Sequence, residues 1–465
     1  MHSRAANADS RLSFWLRVRE FAVPPPMIDS ATARRHVGDW AGACAAASVD
    51  VDFGLRSVAR THGREFAARV RADLRHLAPD LLRWHLPRIA PDGLLRPGLT
   101  VPLARYDPAD HDGDRTVHLV VRTAPAWADA GQRISLALWD GSRSGDRSCP
   151  HPHPRPDRRF RLDLHRHLWD ARRADELRTR SGADRLPADG RPAVDPEPFG
   201  AALRGRGCAV DRWAAEAALL LRAEGRTSGR VAVRLGARNR LVLDVTPGGD
   251  GRPPEARIAP SATGSDATLP VLPDAATWVL PDLDLLRSGL IDVDRLHPLV
   301  ASALVPDRPA ATAPRASDQP GQPRIVECRG ARHRIGLVDG VLVPLDHDPA
   351  EIRREELLAA LTGTPLACLR AIDEAHRNPE CLADVRARLD HGDTAGALAV
   401  VEALLGPDAL LRSGDLRDEL ETAALRRVTY GLFRAGLVGS GPGPARADCR
   451  RTRDRRSHPR HAARR

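Results

Sequence analysis

The 465-residue chain contains no lysine: all 71 of its Lys-plus-Arg residues are arginine. That absence excludes whole classes of chemistry. A P-loop needs a lysine on the phosphates, a protein kinase needs its strand lysine, and a Schiff-base enzyme needs an amine. Tyrosine and methionine are scarce, at two residues each, and aromatics make up only 4%. The eight Trp are scattered rather than interleaved with basic runs, so they read as core anchors and not as a base-stacking platform. No apolar run approaches the roughly 18 residues that span a bilayer, so no membrane association is expected. Phe14, Trp15, Leu16 and Val18 are interrupted by Arg17 and Arg19, which is too short and too charged for a signal peptide. HExxH and GxSxG are absent, and no GxGxxG stands in the right context. Gly439-Ser440-Gly441 looks like a phosphate-cradling fragment, yet it does not join a strand to a helix.

The seven cysteines are Cys44, Cys149, Cys208, Cys328, Cys368, Cys381 and Cys449. Their number is odd, their spacing is wide and no CxxC occurs, which argues against a disulfide framework or a structural zinc site. Reduced thiols in a cytoplasm are the simplest expectation.

The formal net charge is +10, and it is concentrated at the ends. Residues 445–465 hold nine Arg against Asp448 and Asp454, a net +7. Residues 1–26 carry a net +2, which leaves the body close to neutral. The excess sits in a stretch without apolar periodicity, so 439–465 reads as a disordered Arg-rich tail. Such a tail suits weak, non-specific nucleic-acid contact, not a folded binding face. Arginine without lysine also fits a high-GC bacterial genome, because lysine codons are AT-rich. Met27 follows Pro24-Pro25-Pro26, which suggests a start at Met27 and a dispensable extension over 1–26.

The fold class expected is α+β. A helical segment over 27–95 begins near Ser30, breaks near Gly38 and has an extended stretch at 49–58. Phe66, Val70, Leu74 and Leu77 then share one helical face, and Pro79 opens a further helix. Residues 96–246 form an α+β domain. Its strands are Leu99–Arg105, Val117–Arg122, Ile134–Trp139 and Phe160–Leu164, and its helices are Trp169–Arg178 and Trp213–Ala223. A hairpin pairs Arg230–Leu235 with Arg240–Val245. A Pro/Gly/Ser linker follows at 247–268, a helical segment at 269–305, and a Pro/Ala linker at 306–323. Residues 324–346 make a β meander with Asp339-Gly340 as its hairpin turn. Residues 347–438 form an all-α array or bundle. Its helix starts near 349, 365, 379, 394 and 407 are spaced 13 to 16 residues apart. Asp348-Pro349-Ala350-Glu351 is a capping box, and Asp415 caps the last helix.

Gly38-Asp39-Trp40-Ala41-Gly42-Ala43-Cys44-Ala45 echoes Gly392-Asp393-Thr394-Ala395-Gly396-Ala397-Leu398-Ala399. His391 to Leu405 resembles a degenerate ankyrin-repeat helix. Pro281 to Arg287 with Leu296 to Val300 is similar to a segment found ahead of ankyrin arrays. The resemblance covers about a third of the chain, and the Thr-Pro-Leu-His signature is absent. It implies protein–protein binding and no chemistry of the repeat's own.

Candidate chemistry is sparse. Cys149, His151, His153, His165 and His167 lie within 19 residues. His165 and His167 alternate, so on a strand they share a face and suit a metal ion. The plainer reading is a His/Pro-rich low-complexity loop. Asp346-His347-Asp348 resembles a carboxylate–imidazole cluster, but Asp348 is explained as a cap. Glu355 and Glu356 suit a solvated helix face. No catalytic, cofactor-binding or metal-ligating residue is therefore assigned. The leading expectation is a non-enzymatic cytoplasmic scaffold that binds a protein partner through its C-terminal helices. The alternatives are a metal-dependent enzyme with its site near His165 and His167, and a nucleic-acid-associated regulator using the tail.

Overall fold

The computed structural model describes residues 11–107, 115–141, 151–185, 203–204, 206–236, 239–248, 253–259, 268–306, 324–328, 331–363 and 366–437. The fold is α+β. It divides into one unit of Met1–Ala310 with Leu432–Arg465, and a second of Ala311–Gly431.

In the first unit, residues 11–17 are helical and run into a π-helical turn, Val18–Ala22. Pro25 opens α1 (Pro25–His36), where its fixed φ suits the first turn. Asp39 then caps α2 (Trp40–Ala46) by accepting from the Gly42 N–H at 2.8 Å. Only Val49–Val51 (β1) of the stretch expected to be extended is a strand, and Leu55–His62 is helix α3. Helix α4 (Arg64–His76) buries Phe66, Val70 and Leu74 along one face, as their spacing requires. Helix α5 (Pro79–His85) buries Leu81, Leu82 and Trp84.

A short ribbon, β2 (Arg88–Ile89) with β3 (Leu94–Leu95), leads into β4 (Thr100–Tyr106), β5 (Val117–Thr123) and β6 (Ile134–Trp139). These last three are antiparallel neighbours, and β1 adds to β6 in parallel, giving the order β1-β6-β5-β4. Phe160–Leu164 is not the strand that its residues suggest. Leu162–Leu164 and Arg166–Leu168 are 3-10 turns, and the Trp169 indole N–H donates back to the Leu162 carbonyl at 3.0 Å. The helix expected over 169–178 shrinks to α6 (Glu176–Ser181). Upstream of it the Asp170 carboxylate accepts from the Arg172 N–H, a local bond that competes with helix.

Helix α7 (Val210–Ala223) and the hairpin of β7 (Gly229–Arg234) with β8 (Arg240–Thr246) stand where expected. The stretch 247–268 is not wholly linker, because β9 (Glu255–Ala259) pairs antiparallel with β8. Residues 249–252 and 260–267 of that stretch, and 307–323 of the second one, lie outside the described residues. Helices α8 (Asp274–Thr277), α9 (Pro281–Arg287) and α10 (Pro298–Leu304) complete the unit.

One core joins Leu74, Leu103, Ile134, Leu283 and Val300, so stretches separated in the sequence as 27–95, 96–246 and 269–305 share an interior. A second core gathers Trp213, Leu221, Val231 and Leu243. Residues 11–26 require a correction, because they are no loose extension. Phe14, Val18, Ala22 and Val23 are buried in the first core. Arg19, one of the charges that interrupt the apolar run, is only 2% exposed. It donates to Asp282 at 3.0 Å and lies 3.9 Å over the Trp84 ring, so its charge is met inside.

The second unit opens with the meander β10 (Arg324–Cys328), β11 (Ala331–Val338) and β12 (Val341–Pro344). Asp339 and Gly340 at its turn have φ of 52° and 78°, the left-handed values that a two-residue hairpin needs. Helices α11 (Pro349–Thr362), α12 (Ala367–Arg377), α13 (Leu382–His391), α14 (Thr394–Leu405) and α15 (Asp415–Arg434) follow. Asp348 caps α11 through the Ala350 N–H, as expected. The start expected near 365 falls on Thr364-Pro365, outside the described residues. No helix starts at Pro407: residues 407–414 are non-helical and the chain turns helical at Asp415.

Candidate functional site

Helix α7 and the 3-10 turns before α6 bring His165 and His167 together, with ring centroids 5.7 Å apart and both side chains buried. His165 is already committed. Its Nδ1 lies 3.0 Å from the Arg161 carbonyl oxygen and its Nε2 3.2 Å from Glu216 Oε2. Arg180 donates to both Glu216 oxygens, at 2.6 and 2.7 Å. Burial works to raise the Glu216 pKa, but His165 and Arg180 outweigh it and hold the carboxyl well below its ordinary range. Burial, then the neighbouring His165 and Arg180, drive the His167 pKa well below its ordinary value.

His151 is engaged elsewhere. It accepts at Nδ1 from the His153 N–H, which leaves Nε2–H to donate to the Thr123 carbonyl at 3.0 Å. Its pKa drops to about 4, chiefly through burial. His153 is exposed, and Cys149 lies outside the described residues. Among the described residues, no group of three or more His, Cys, Asp or Glu is placed to hold a metal ion. His165 is thus a contact of Glu216 and His167 a buried neutral ring, both positioned by local turns rather than by a strand face.

Asp346, His347 and Asp348 separate in function. Asp346 accepts from the Arg334 N–H at 2.7 Å and pairs with its guanidinium at 2.9 Å, and these contacts lower its pKa to about 2. Asp348 is the α11 cap. His347 stacks on His333 at 4.1 Å, with Nε2 3.5 Å from Cys368 Sγ and Nδ1 3.9 Å from Glu351 Oε2. Thiol, imidazole and carboxylate thus stand in the order a cysteine nucleophile uses. However, Cys368 is 0% exposed and shares a small core with Ile335 and Ile372, so the thiol serves packing. Glu356 is exposed, as expected for a solvated face. The phosphate-loop-like Gly439-Ser440-Gly441 and the Arg-rich tail lie outside the described residues.

The more informative surface was not legible residue by residue. Seventeen large hydrophobic side chains are exposed among the described residues, and twelve of them lie between Ile325 and Val428. Helix α11 has no buried residue at all. Leu357, Leu358 and Leu361 on it are 68, 50 and 85% exposed, and their spacing puts them on one face. On α15, Leu425 and Val428 are 67 and 59% exposed at a spacing of three. Arg353, Arg354 and Glu356 are exposed on the same turns of α11 as the leucines. An exposed, strongly apolar face of this kind sets α11 apart from a helix whose outer face is polar throughout.

No helix among the described residues is long and apolar enough to cross a membrane. Comparison with protein-family models, with curated proteins and with solved structures finds no match for this chain.

Proposed function

We propose that the protein is a non-enzymatic adaptor that binds another protein through the helices of its second unit. The observation that carries this is the concentration of exposed leucine and valine there, above all on α11. A 14-residue helix that buries none of its residues gains little from packing, and short helices rarely persist on propensity alone. A partner that covers Leu357, Leu358 and Leu361 supplies what is missing. A helix laid against this face is the recognition mode that suits it. The resemblance of 391–405 to an ankyrin-type helix points the same way, since such arrays bind proteins.

A reducing, cytoplasmic setting fits the described thiols. Cys44, Cys208, Cys368 and Cys381 form no disulfide, and burial raises Cys44 to about 12 and Cys208 to about 11, which makes both inert. The tail's net +7 suits only weak, salt-sensitive contact with nucleic acid.

Leu357→Ser with Leu361→Ser tests the adaptor reading. Both side chains are exposed, so the thermal midpoint should stay within about a degree or two. Co-purification of a stoichiometric partner from the native host should be lost. A partner retained in full by the double variant would sink the proposal.

A further inference from the structure

A partly open cavity of about 120 Å³ in the first unit carries a charge imbalance that the fold does not resolve. Arg88, Arg96 and Arg159 line it with a single carboxylate residue, Asp274, and Arg96 is attracted by Asp274 and by Asp157 beyond the wall. Arg159 donates from Nε to Asp274 at 2.6 Å, while its buried Nη2 has no hydrogen-bond partner. Arg88 is 5% exposed and spends its two terminal nitrogens on the carbonyls of Gly93 and Arg83, at 2.8 and 2.7 Å. Its Nε is unpartnered, and no carboxylate pairs with it among the described residues. The Arg96 guanidinium has no hydrogen bond or ion pair among the described residues, and the residue is held by its backbone, which donates to the Pro87 carbonyl and accepts from Thr123 Oγ1. The other two arginines of the wall, Arg11 and Arg161, are neutralised by Asp284 and by Asp163 with Glu224.

Buried cations without counter-charge are costly, and the cost falls when an anion enters. The basicity of these groups reflects that cost. Burial first, then neighbouring arginines, bring Arg96 to about 10 and Arg88 well below its ordinary value. The rest of the wall is largely apolar, with aliphatic side chains such as Leu86, Leu162 and Leu168 set among three aromatic rings. The guanidinium carbons of Arg96 and Arg159 lie 5.3 and 5.4 Å from the Phe160 ring centroid, and the indoles of Trp15 and Trp278 also line the space. A cavity of this size is on the order of that which takes one benzene ring. Inorganic phosphate would satisfy the cations but leave the rings facing oxygen. A flat ring with one carboxylate satisfies both, through a planar fork on the carboxylate and aromatic contact on the faces.

We propose that this cavity is a binding site for a monocyclic aromatic carboxylate. Isothermal titration of the full chain with benzoate, benzamide and inorganic phosphate tests it, together with the Arg96→Gln variant. Benzoate should bind one to one, and benzamide about tenfold or more weakly, because it lacks the charge. Phosphate should show no saturable binding over the same concentration range. Arg96→Gln should weaken benzoate about tenfold with little change in the ligand-free melt, since the guanidinium makes no hydrogen bond or ion pair among the described residues and the backbone bonds at position 96 are kept. If the variant proves unstable, the ratio of benzoate to benzamide in the native chain still decides. No saturable benzoate binding, benzamide binding as tightly as benzoate, phosphate binding more tightly than benzoate, or full benzoate affinity in a folded Arg96→Gln would each overturn the proposal.

Discussion

Histidines whose charged form burial disfavours, His85 and His151 among them, make the stability of the first unit dependent on pH. His85 and His151 both have pKa values brought down from 6.5 to about 4, with burial the leading cause in each. They are neutral in the folded chain, while the unfolded chain takes up protons below its ordinary value. Stability from these groups is therefore whole above about pH 6.5 and is lost as pH falls toward 4, by up to about 1.4 kcal/mol per pH unit for each. Glu216 works in a lower window. Its carboxyl is held below the ordinary range, so its contribution is whole above the ordinary carboxylate value and is lost as the pH falls from there through the depressed value. Urea midpoints at pH 7.5 and 5.0 should show a clear loss, and His151→Gln should lose less over the same interval. An equal loss in both proteins would show that His151 does not titrate as its burial requires. The absence of lysine has a counterpart at this scale. Arg83 is 0% exposed and reaches the carbonyls of Ala22 and Gln132 from separate nitrogens, at 2.9 and 2.5 Å. A single ammonium could not span both acceptors in that geometry.

At the scale of elements, the internal echo is a real local structure built twice. Gly38 and Gly392 have φ of 79° and 87° and end their helices, where a side chain would be strained. Asp39 and Asp393 follow as caps and accept from the N–H three residues on, at 2.8 and 2.9 Å. Arg34 and Arg388, five residues before each cap, close a salt bridge onto it at 3.0 and 2.8 Å. A Cβ at Gly42 or Gly396 would collide with the cap carboxylate, which accounts for the second glycine. Asp393→Ala should cost the α13–α14 hairpin about 1 kcal/mol, and Gly396→Ala should cost at least as much because the cap must move. Hydrogen exchange over 382–405 should then quicken about fivefold. Unchanged exchange in Asp393→Ala would show that the cap holds nothing. Elements of this kind were legible because their signals are local. The strand Ile134–Trp139, the Asp339-Gly340 turn and the Asp348 cap all fall where neighbouring residues place them. The missed elements answer to distant partners. Arg19 is buried because Asp282, 263 residues away, receives it. The Asp170 carboxylate draws 166–173 into tight turns by binding Arg166 and Arg172 together. The Arg-lined cavity was invisible for the same reason, since its wall is gathered from residues between 11 and 281.

Over the whole molecule, polarity and apolarity are distributed unevenly. All eight Trp lie before residue 280, and the first unit closes two substantial cores. The second unit closes smaller ones and leaves twelve large hydrophobics exposed. Its shortfall of buried surface is the physical basis for the protein partner proposed above, because exposed apolar area of this kind is what association removes from water. The most direct measurement places a photo-crosslinking residue at position 361 on α11 and, as a control, at position 37. Val37 is equally exposed, at 80% against 85% for Leu361, but sits in the first unit. Illumination in the native host should join position 361 to one discrete protein and leave position 37 without that product. No discrete product at 361, the same product from both positions, or a product made only of a second copy of this chain would contradict an adaptor that docks another protein on α11.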